Sequence, residues 1–516
     1  MRKSKLTGIT LRTIACSLIA TAAFAVTALP VVRDQAKISD AAGGFDGALD
    51  DQDVFGSAID GIGDLNGDGV PDLIVGAPLD DDGDFDAGAI WVLFMNSNGS
   101  IDDFSKISDV FGDFDGILHE DDEFGTAVAS LGDLDGDGVV DIAVGAPFDD
   151  DGEFDAGAVW IVFLNDDGTV KQTQKISALT GDFDGTLNKG DGFGYGVDAL
   201  GDLDGDGVVD IVVGAAFDNE GSGEDSGAVW ILFLNDDGTV KTFQKIGEES
   251  GGFQGNLSSG DTFGTSVTNL GDVDRDGVTD IAVGAPLDDA GNGSNVGAVW
   301  ILFLGNDGRV KDQQKISDDN GAFDQRIDDG DWFGWSVAGL GDVDGDDIPD
   351  VAAGTPFDDA GDGHDKGAFF IIALNGDGTV KTVQKVAEKT GGFRGDLDEF
   401  DAFGSALASV GDFNDDGIDE LAAGAAGDND GPGFNAGAVW MLFMEPGAPT
   451  CGDASGNGAV EATDALIALR TAVGTATCDL CACDVDSSGA VVASDAQRIL
   501  TAAVGTTVNL QCPACG

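Results

Sequence analysis

A Phe-Gly pair recurs at Phe55, Phe124, Phe193, Phe263, Phe333 and Phe403, at steps of 69 or 70 residues. Downstream of each lies a Gly-Ala-x-Trp signal, with its tryptophan at Trp91, Trp160, Trp230, Trp300 and Trp440 and with Phe370 in the fifth place. A Lys-Ile-Ser-like segment recurs in the same phase, its lysine at Lys37, Lys106, Lys175, Lys245, Lys315 and Lys385. A period this long, with several strands in each unit, means a propeller or a similar array.

Each unit holds four strand candidates. The first follows the Phe-Gly with apolar residues roughly alternating, as in FGTAVASLGD, and the second is short and continuous, as in DIAVGAP. The third, such as AVWILFL, is apolar on both faces and demands burial on both sides. The fourth, such as VKQTQKIS, alternates and carries lysine, which suits an outer edge protected against foreign strands. Asn-Asp-Asp-Gly or a similar turn joins the third to the fourth, with glycine where a tight hairpin needs positive φ.

The phase of the repeat tells how the ring closes. Lys37–Ser39 precedes any complete unit, and the last third-strand run, Ala438–Met444, has no fourth strand after it. Residues 35–40 are therefore expected to complete the last blade, closing an all-β, six-bladed propeller of four-stranded antiparallel blades over 34–446. An open stack would instead need capping ends, and none is apparent.

Between the first and second strands sits a nine-residue acidic loop with oxygen side chains at positions 1, 3, 5 and 9. The candidate ligands are Asp64, Asn66, Asp68 and Asp72 in the first copy, with the Val70 carbonyl, and Asp133, Asp135, Asp137 and Asp141 in the second. The third and fourth copies offer Asp202, Asp204, Asp206 and Asp210, then Asp272, Asp274, Asp276 and Asp280. The last two offer Asp342, Asp344, Asp346 and Asp350, then Asp412, Asn414, Asp416 and Glu420, with Asp347 replacing the usual glycine in the fifth. Such a set wraps a hard cation, and many flexible protein oxygens favour calcium over magnesium. The bland alternative is a polar hairpin turn. Six copies in one structural phase argue for the metal.

The Phe-Gly, Gly-Ala-Pro and DxDxDG signals resemble the FG-GAP repeats of integrin α-subunit propellers and their bacterial relatives. The resemblance implies an extracellular, calcium-stabilised binding or adhesion module with a protein or glycan ligand. Integrin propellers have seven blades against six units here, so no specific integrin-like ligand site carries over.

After a linker at 447–450 the pattern changes. Residues 453–464 and 484–495 are twelve-residue loops with acid at both ends and glycine at the sixth place, each leading into a short helix. Apolar residues at helical spacing, Leu466, Leu469 and Val473, then Ile499, Leu500 and Val504, mark the expected buried faces. This duplication resembles a type I dockerin, an EF-hand-like module that docks onto cohesin modules of scaffold proteins. The resemblance implies calcium ligands Asp453, Ser455, Asn457 and Asp464, then Asp484, Asp486, Ser488 and Asp495, with partner contacts at Ala462-Thr463 and Ala493-Ser494. Six cysteines crowd into 451–516, which reads as a disulfide framework or, from the Cys478/Cys481 and Cys512/Cys515 spacings, a zinc site. A stapled cap without any partner is the competing reading of this domain.

Arg2, Lys3, Lys5 and Arg12 precede an apolar run from about Ile14 to Val32 with small-residue exits at Ala25 and Ala28. This reads as a signal peptide over 1–28, with an uncleaved anchor as the alternative, and no other segment is apolar enough to span a membrane. The expected localisation is secreted, extracellular or cell-surface. A formal charge of −72 repels phosphate backbones, which argues against nucleic acid and for cations or basic partners.

No HExxH, GxSxG or phosphate-cradling loop is present, and the acids repeat sixfold where one active site needs a singular pair. The chain is therefore expected to be a non-catalytic ligand-binding propeller with an assembly module. The alternative is a component of a polysaccharide-degrading assembly, with Trp332 and Trp335 as a sugar platform and a carboxylate pair as hydrolase.

Overall fold

A computed structural model describes residues 28–447 apart from 220–222, 291–292, 319, 321–326, 360–362, 415 and 430–433. Toward the C-terminus it describes 462–472, 483–485, 490–503 and 510. The signal-peptide reading of the first residues lies outside these, as do the candidate ligands Asp453, Ser455, Asn457, Asp486 and Ser488 and the side chain of Asp464. No described helix is long and apolar enough to cross a membrane.

Residues 28–447 form six four-stranded antiparallel sheets in a closed ring. Blade 1 comprises β2 (Ile59–Gly63), β3 (Asp72–Ala77), β4 (Ala89–Met95) and β5 (Ile101–Ile107), paired in that order. Strands β6–β9, β10–β13, β14–β17 and β18–β21 repeat it over 127–176, 193–246, 267–316 and 337–387. The third strand is buried along its whole length, AVWIVFL in blade 2 for example, as its two apolar faces require.

Blade 6 is assembled from both ends of the sequence. Strands β22 (Phe403–Gly411), β23 (Glu420–Ala425) and β24 (Ala438–Gly447) are completed by β1 (Ala28–Ile38), which pairs antiparallel with β24. Closure by the N-terminal segment is as the repeat phase predicts, but β1 starts well before residue 34. Leu29 and Val32 are buried in the core of this blade, so the end of the apolar N-terminal run belongs to the propeller.

The Phe-Gly and Gly-Ala-Pro signals meet between blades. The phenylalanines, Phe55 and Phe124 among them, are fully buried, and each forms a parallel bridge to a glycine of the preceding blade. One of these bridges, Phe55 to Gly437, joins the last blade to the first. At Gly145 an added Cβ would lie 1.9 Å from the Gly194 carbonyl oxygen of the next blade, so the blades approach to backbone contact. Only glycine permits that approach, which is why the motif pairs two glycines.

The repeating lysine is not an edge guard. Lys106 lies over the Trp91 ring at 5.0 Å and pairs with Asp80 at 2.5 Å and with Asp82, both from the acidic turn between second and third strands. Lys175 repeats this over Trp160 with Asp149 and Asp151. This acidic turn is thus partly buried and charge-paired.

The C-terminal helices α1 (Ala462–Ala472) and α2 (Ala493–Ala503) pack through Ala465, Ala468, Ala496 and Ile499, with Cys483 and Val485 beneath. Ile499 is buried as expected. Leu466, Leu469 and Leu500 are not: they are 43–47% exposed, because the helices approach through small alanines and leave the leucines outside.

Candidate metal loops

Antiparallel pairing puts all six acidic loops at the end of the strands opposite the Phe-Gly pairs. Their internal wiring is the same from blade to blade. The carboxylate at position 1 accepts the amides of the turn: Asp64 takes Gly67, Asp68 and Gly69 at 2.8–2.9 Å, and Asp202 takes Asp206 and Gly207. Asp272, Asp342 and Asp412 do likewise. Positions 3 and 5 fold the next amides inward, as with Asp137 to Asp135 and Val139 to Asp137.

Position 9 is a clasp. Asp72, Asp141, Asp210, Asp280, Asp350 and Glu420 are buried at the start of the second strand. One oxygen of Asp72 accepts Leu65 of its own loop and the other accepts Met95 at the end of β4, both at 3.0 Å. Asp141 does the same with Leu134 and Leu164. Glu420 reaches Phe413 and the Asn414 side-chain amide instead, the longer side chain spending its second oxygen inside the loop. Burial pushes these carboxyls up, to about 6 for Asp72, Asp141 and Asp210, about 7 for Asp280 and Glu420 and about 8 for Asp350, despite the backbone donors.

In four loops three carboxylates each bring an oxygen within 4.8 Å of the others: Asp133, Asp135 and Asp141; Asp202, Asp204 and Asp206; Asp272, Asp274 and Asp276; Asp342, Asp344 and Asp350. Two oxygens on one calcium ion lie no further apart than twice the bond length, roughly 5 Å. The donor set therefore fits a hard cation in both chemistry and spacing. The first and last loops carry an amide at position 3, Asn66 and Asn414, and so bring fewer carboxylates.

A second lysine, invisible to the loop motif, enters these sites. Lys171, at the start of the fourth strand of blade 2, lies 2.5 Å from both Asp135 and Asp137. Lys241 does the same for Asp204 and Asp206, Lys311 for Asp276, and Lys381 for Asp344 and Asp346 at 2.6 Å. Hydrogen bonds to the two aspartates raise the Lys171 pKa and hold Asp137 below the usual carboxylate range. The signal was present in the sequence as the Val-Lys that opens four of the fourth strands. In blade 1 the equivalent residue is Asp102, and in blade 6 it is Arg33.

The FG-GAP repeat family matches residues 55–93, 124–162, 193–232, 263–302 and 333–372, each running from a Phe-Gly through the acidic loop to the third strand. Five of the six blades carry FG-GAP repeats. Among curated relatives, integrin alpha-PS5 of Drosophila melanogaster is 38% identical over 167 residues, 32% of this chain and 15% of that protein. Human integrin alpha-6 is 35% identical over 164 residues and human integrin alpha-7 36% over 157, each covering 12% of the relative and 32% and 30% of this chain. Matches and ring together support an FG-GAP β-propeller, while the chain spans only 12–15% of the length of these integrins. A solved chain titled "Crystal structure of BBS1N in complex with ARL6DN, soaked with lead" aligns over 82% of this chain and 99% of its own, at 12% identity and a TM-score of 0.37.

Proposed function

We propose that this chain is an extracellular, calcium-loaded, non-catalytic propeller that binds a protein or glycan ligand, with its C-terminal helical pair serving assembly. The observation that carries the reading is a division of labour between the two ends of the ring. One end holds the six oxygen-rich loops. The other exposes phenylalanine at one repeat position in three neighbouring blades: Phe434 of blade 6, Phe85 of blade 1 and Phe154 of blade 2, each more than half exposed. Their backbone carbonyls accept amides of the following blade, from Gln52, Asp121 and Gly190, so the rings are presented on an anchored frame. Exposed aromatics repeated in neighbouring blades mark a contact surface. Glu224, Ser294 and His364 occupy the same position in the other three blades, so the arc is one-sided.

Calcium would be held by the position 1, 3 and 5 oxygens of each loop, with the position 9 carboxylate beneath them. It would supply the positive charge that lets several carboxylates converge. Titration with calcium should saturate several sites, and a chelator should lower the melting temperature by the mass action of a ligand bound only by the native state. An unchanged melting temperature would sink the calcium reading. Replacing Phe85, Phe154 and Phe434 together by serine should abolish capture on glycan and extracellular-protein arrays at unchanged stability. Capture that survives the triple change would move the ligand elsewhere.

The exposed Leu466 and Leu469 of α1, Leu500 of α2 and Val492 just before α2 support the assembly role, since a stapled cap has no use for an apolar outer face. A cohesin-like scaffold is the partner that the dockerin resemblance implies.

A further inference from the structure

The inner strands of all six blades enclose a cavity of about 630 Å³ along the axis of the ring. Five residues after each repeating phenylalanine stand Asp60, Ala129, Asp198, Thr268, Ala338 and Ala408. Two blades thus place a carboxylate where three others have alanine. Asp60 accepts its neighbour Gly61 at 2.8 Å and Ser130 of the next blade at 2.7 Å; Asp198 accepts Ala199 at 2.7 Å and Asn269 of the next blade at 2.8 Å. Blades with alanine here close without such a bond, so the ring itself does not require the two acids. They are the singular pair that the sixfold loops lack.

The cavity is electrostatically unbalanced. Its lining includes Asp60, Asp198 and Glu123 but no lysine, arginine or histidine. Burial first, then the charge of Asp198, pushes Asp60 up to about 7, and burial followed by Asp86, Asp121 and Asp155 pushes Glu123 to about 7. Tyr195 also lines the cavity, and its hydroxyl has no hydrogen-bond partner among the described residues. Trp335 occupies the same repeat position in blade 5, where the other four blades have serine or threonine. Trp332 and Phe357 pack against Trp335, at 5.3 and 6.4 Å between ring centres; Phe357 also lines the cavity, and Trp332 backs Trp335 from outside it.

We propose that the axial cavity binds a small organic ammonium ion, with its charged nitrogen on Asp60 and Asp198 and its apolar body against Tyr195 and Trp335. The volume, and a wall that mixes apolar surface with convergent polar groups, are those of a small-molecule site. The pair offers four carboxylate oxygens in all, fewer than the six to eight oxygens of a calcium ion. An ammonium needs only three acceptors, and an aromatic face favours it further. This site is independent of the calcium loops and of the phenylalanine arc.

The test is calorimetric titration of the full, calcium-saturated chain with phenethylamine, using 2-phenylethanol as the uncharged isostere. Phenethylamine should bind at about pH 8 and weaken as Asp60 gains its proton near pH 7, whereas the alcohol should bind at least about tenfold more weakly. The double variant Asp60→Asn/Asp198→Asn removes both charges and keeps one acceptor oxygen per side chain, and should weaken amine binding at least about tenfold with calcium binding retained. Trp335→Ala should weaken it too, which covers the case of a misfolded double variant. Equal binding of amine and alcohol, undiminished binding by the folded double variant, or no binding of the amine would overturn the proposal. A calcium stoichiometry that falls in the double variant would overturn it in favour of a metal.

Discussion

Each blade carries two buried aspartates and one lysine at the Phe-Gly end, and the arithmetic of that trio governs its titration. In blade 6 these are Asp401, Asp428 and Lys37; Lys37 pairs with Asp428, and one Asp401 oxygen is buried without a partner. Asp401 is pushed to about 7 by burial and by Asp428, against the Asp398 amide and Lys37. A carboxyl raised in this way adds stability that is fully present below its unfolded value near 4 and is lost as pH rises through about 7. Asp401→Asn should therefore stabilise the protein by about 1–2 kcal/mol near pH 8 and change little near pH 4, read from denaturant midpoints. Equal effects at both pH values would contradict this account. The trio was not legible in the sequence, because Lys175 and Asp149 stand 26 residues apart and the lysine's own segment reads as an edge strand.

At the scale of the element, the acidic loops were legible and their lysine was not. A motif confined to nine consecutive residues can be read directly. A side chain arriving from the fourth strand, such as Lys171 at Asp135 and Asp137, needs the blade to be folded first. A cation entering the loops of blades 2 to 5 would have to displace that ammonium, whereas blade 1 presents Asp102 at the same register position. Lys171→Met should therefore tighten calcium at the blade 2 loop severalfold, and the first ion bound by the unaltered chain should be the one lost in Asp64→Ala. Calcium calorimetry on the two variants checks both statements; an unchanged isotherm for Lys171→Met would show that the lysine swings away without cost. The C-terminal helices teach a related lesson about reading: Leu466 and Leu469 look like the core, but Ala465 and Ala468 form it. Helical spacing gives a period, and side-chain size then decides which face lets two short helices come close.

At the scale of the molecule, the ring was the most legible feature, since its signals are chemical necessities of blade contact. Gly145 must be glycine because the Gly194 carbonyl lies where a Cβ would sit, and Phe193 must fill the seam beside it. The true start of β1 was hidden because Leu29 and Val32 continue an apolar run that has another explanation upstream. Deleting residues 28–38 should leave β24 with an unpaired edge, turning a closed ring into an aggregating or strand-exchanging one. Light scattering of the truncated chain, with and without a synthetic β1 peptide, measures this; a monodisperse truncated protein with native melting would show that the closing strand is dispensable.

The pairing of β1 with β24 also orders events in time. The strand that leaves the ribosome first has no partner until some four hundred residues later, so every intermediate blade can settle while the earliest segment waits. The pairing of β1 with β24, from Ala28 opposite Gly447 to Ile38 opposite Val439, has the longest sequence separation in the ring. Completion of the circle thus waits until β24 has been made, a late and slow step.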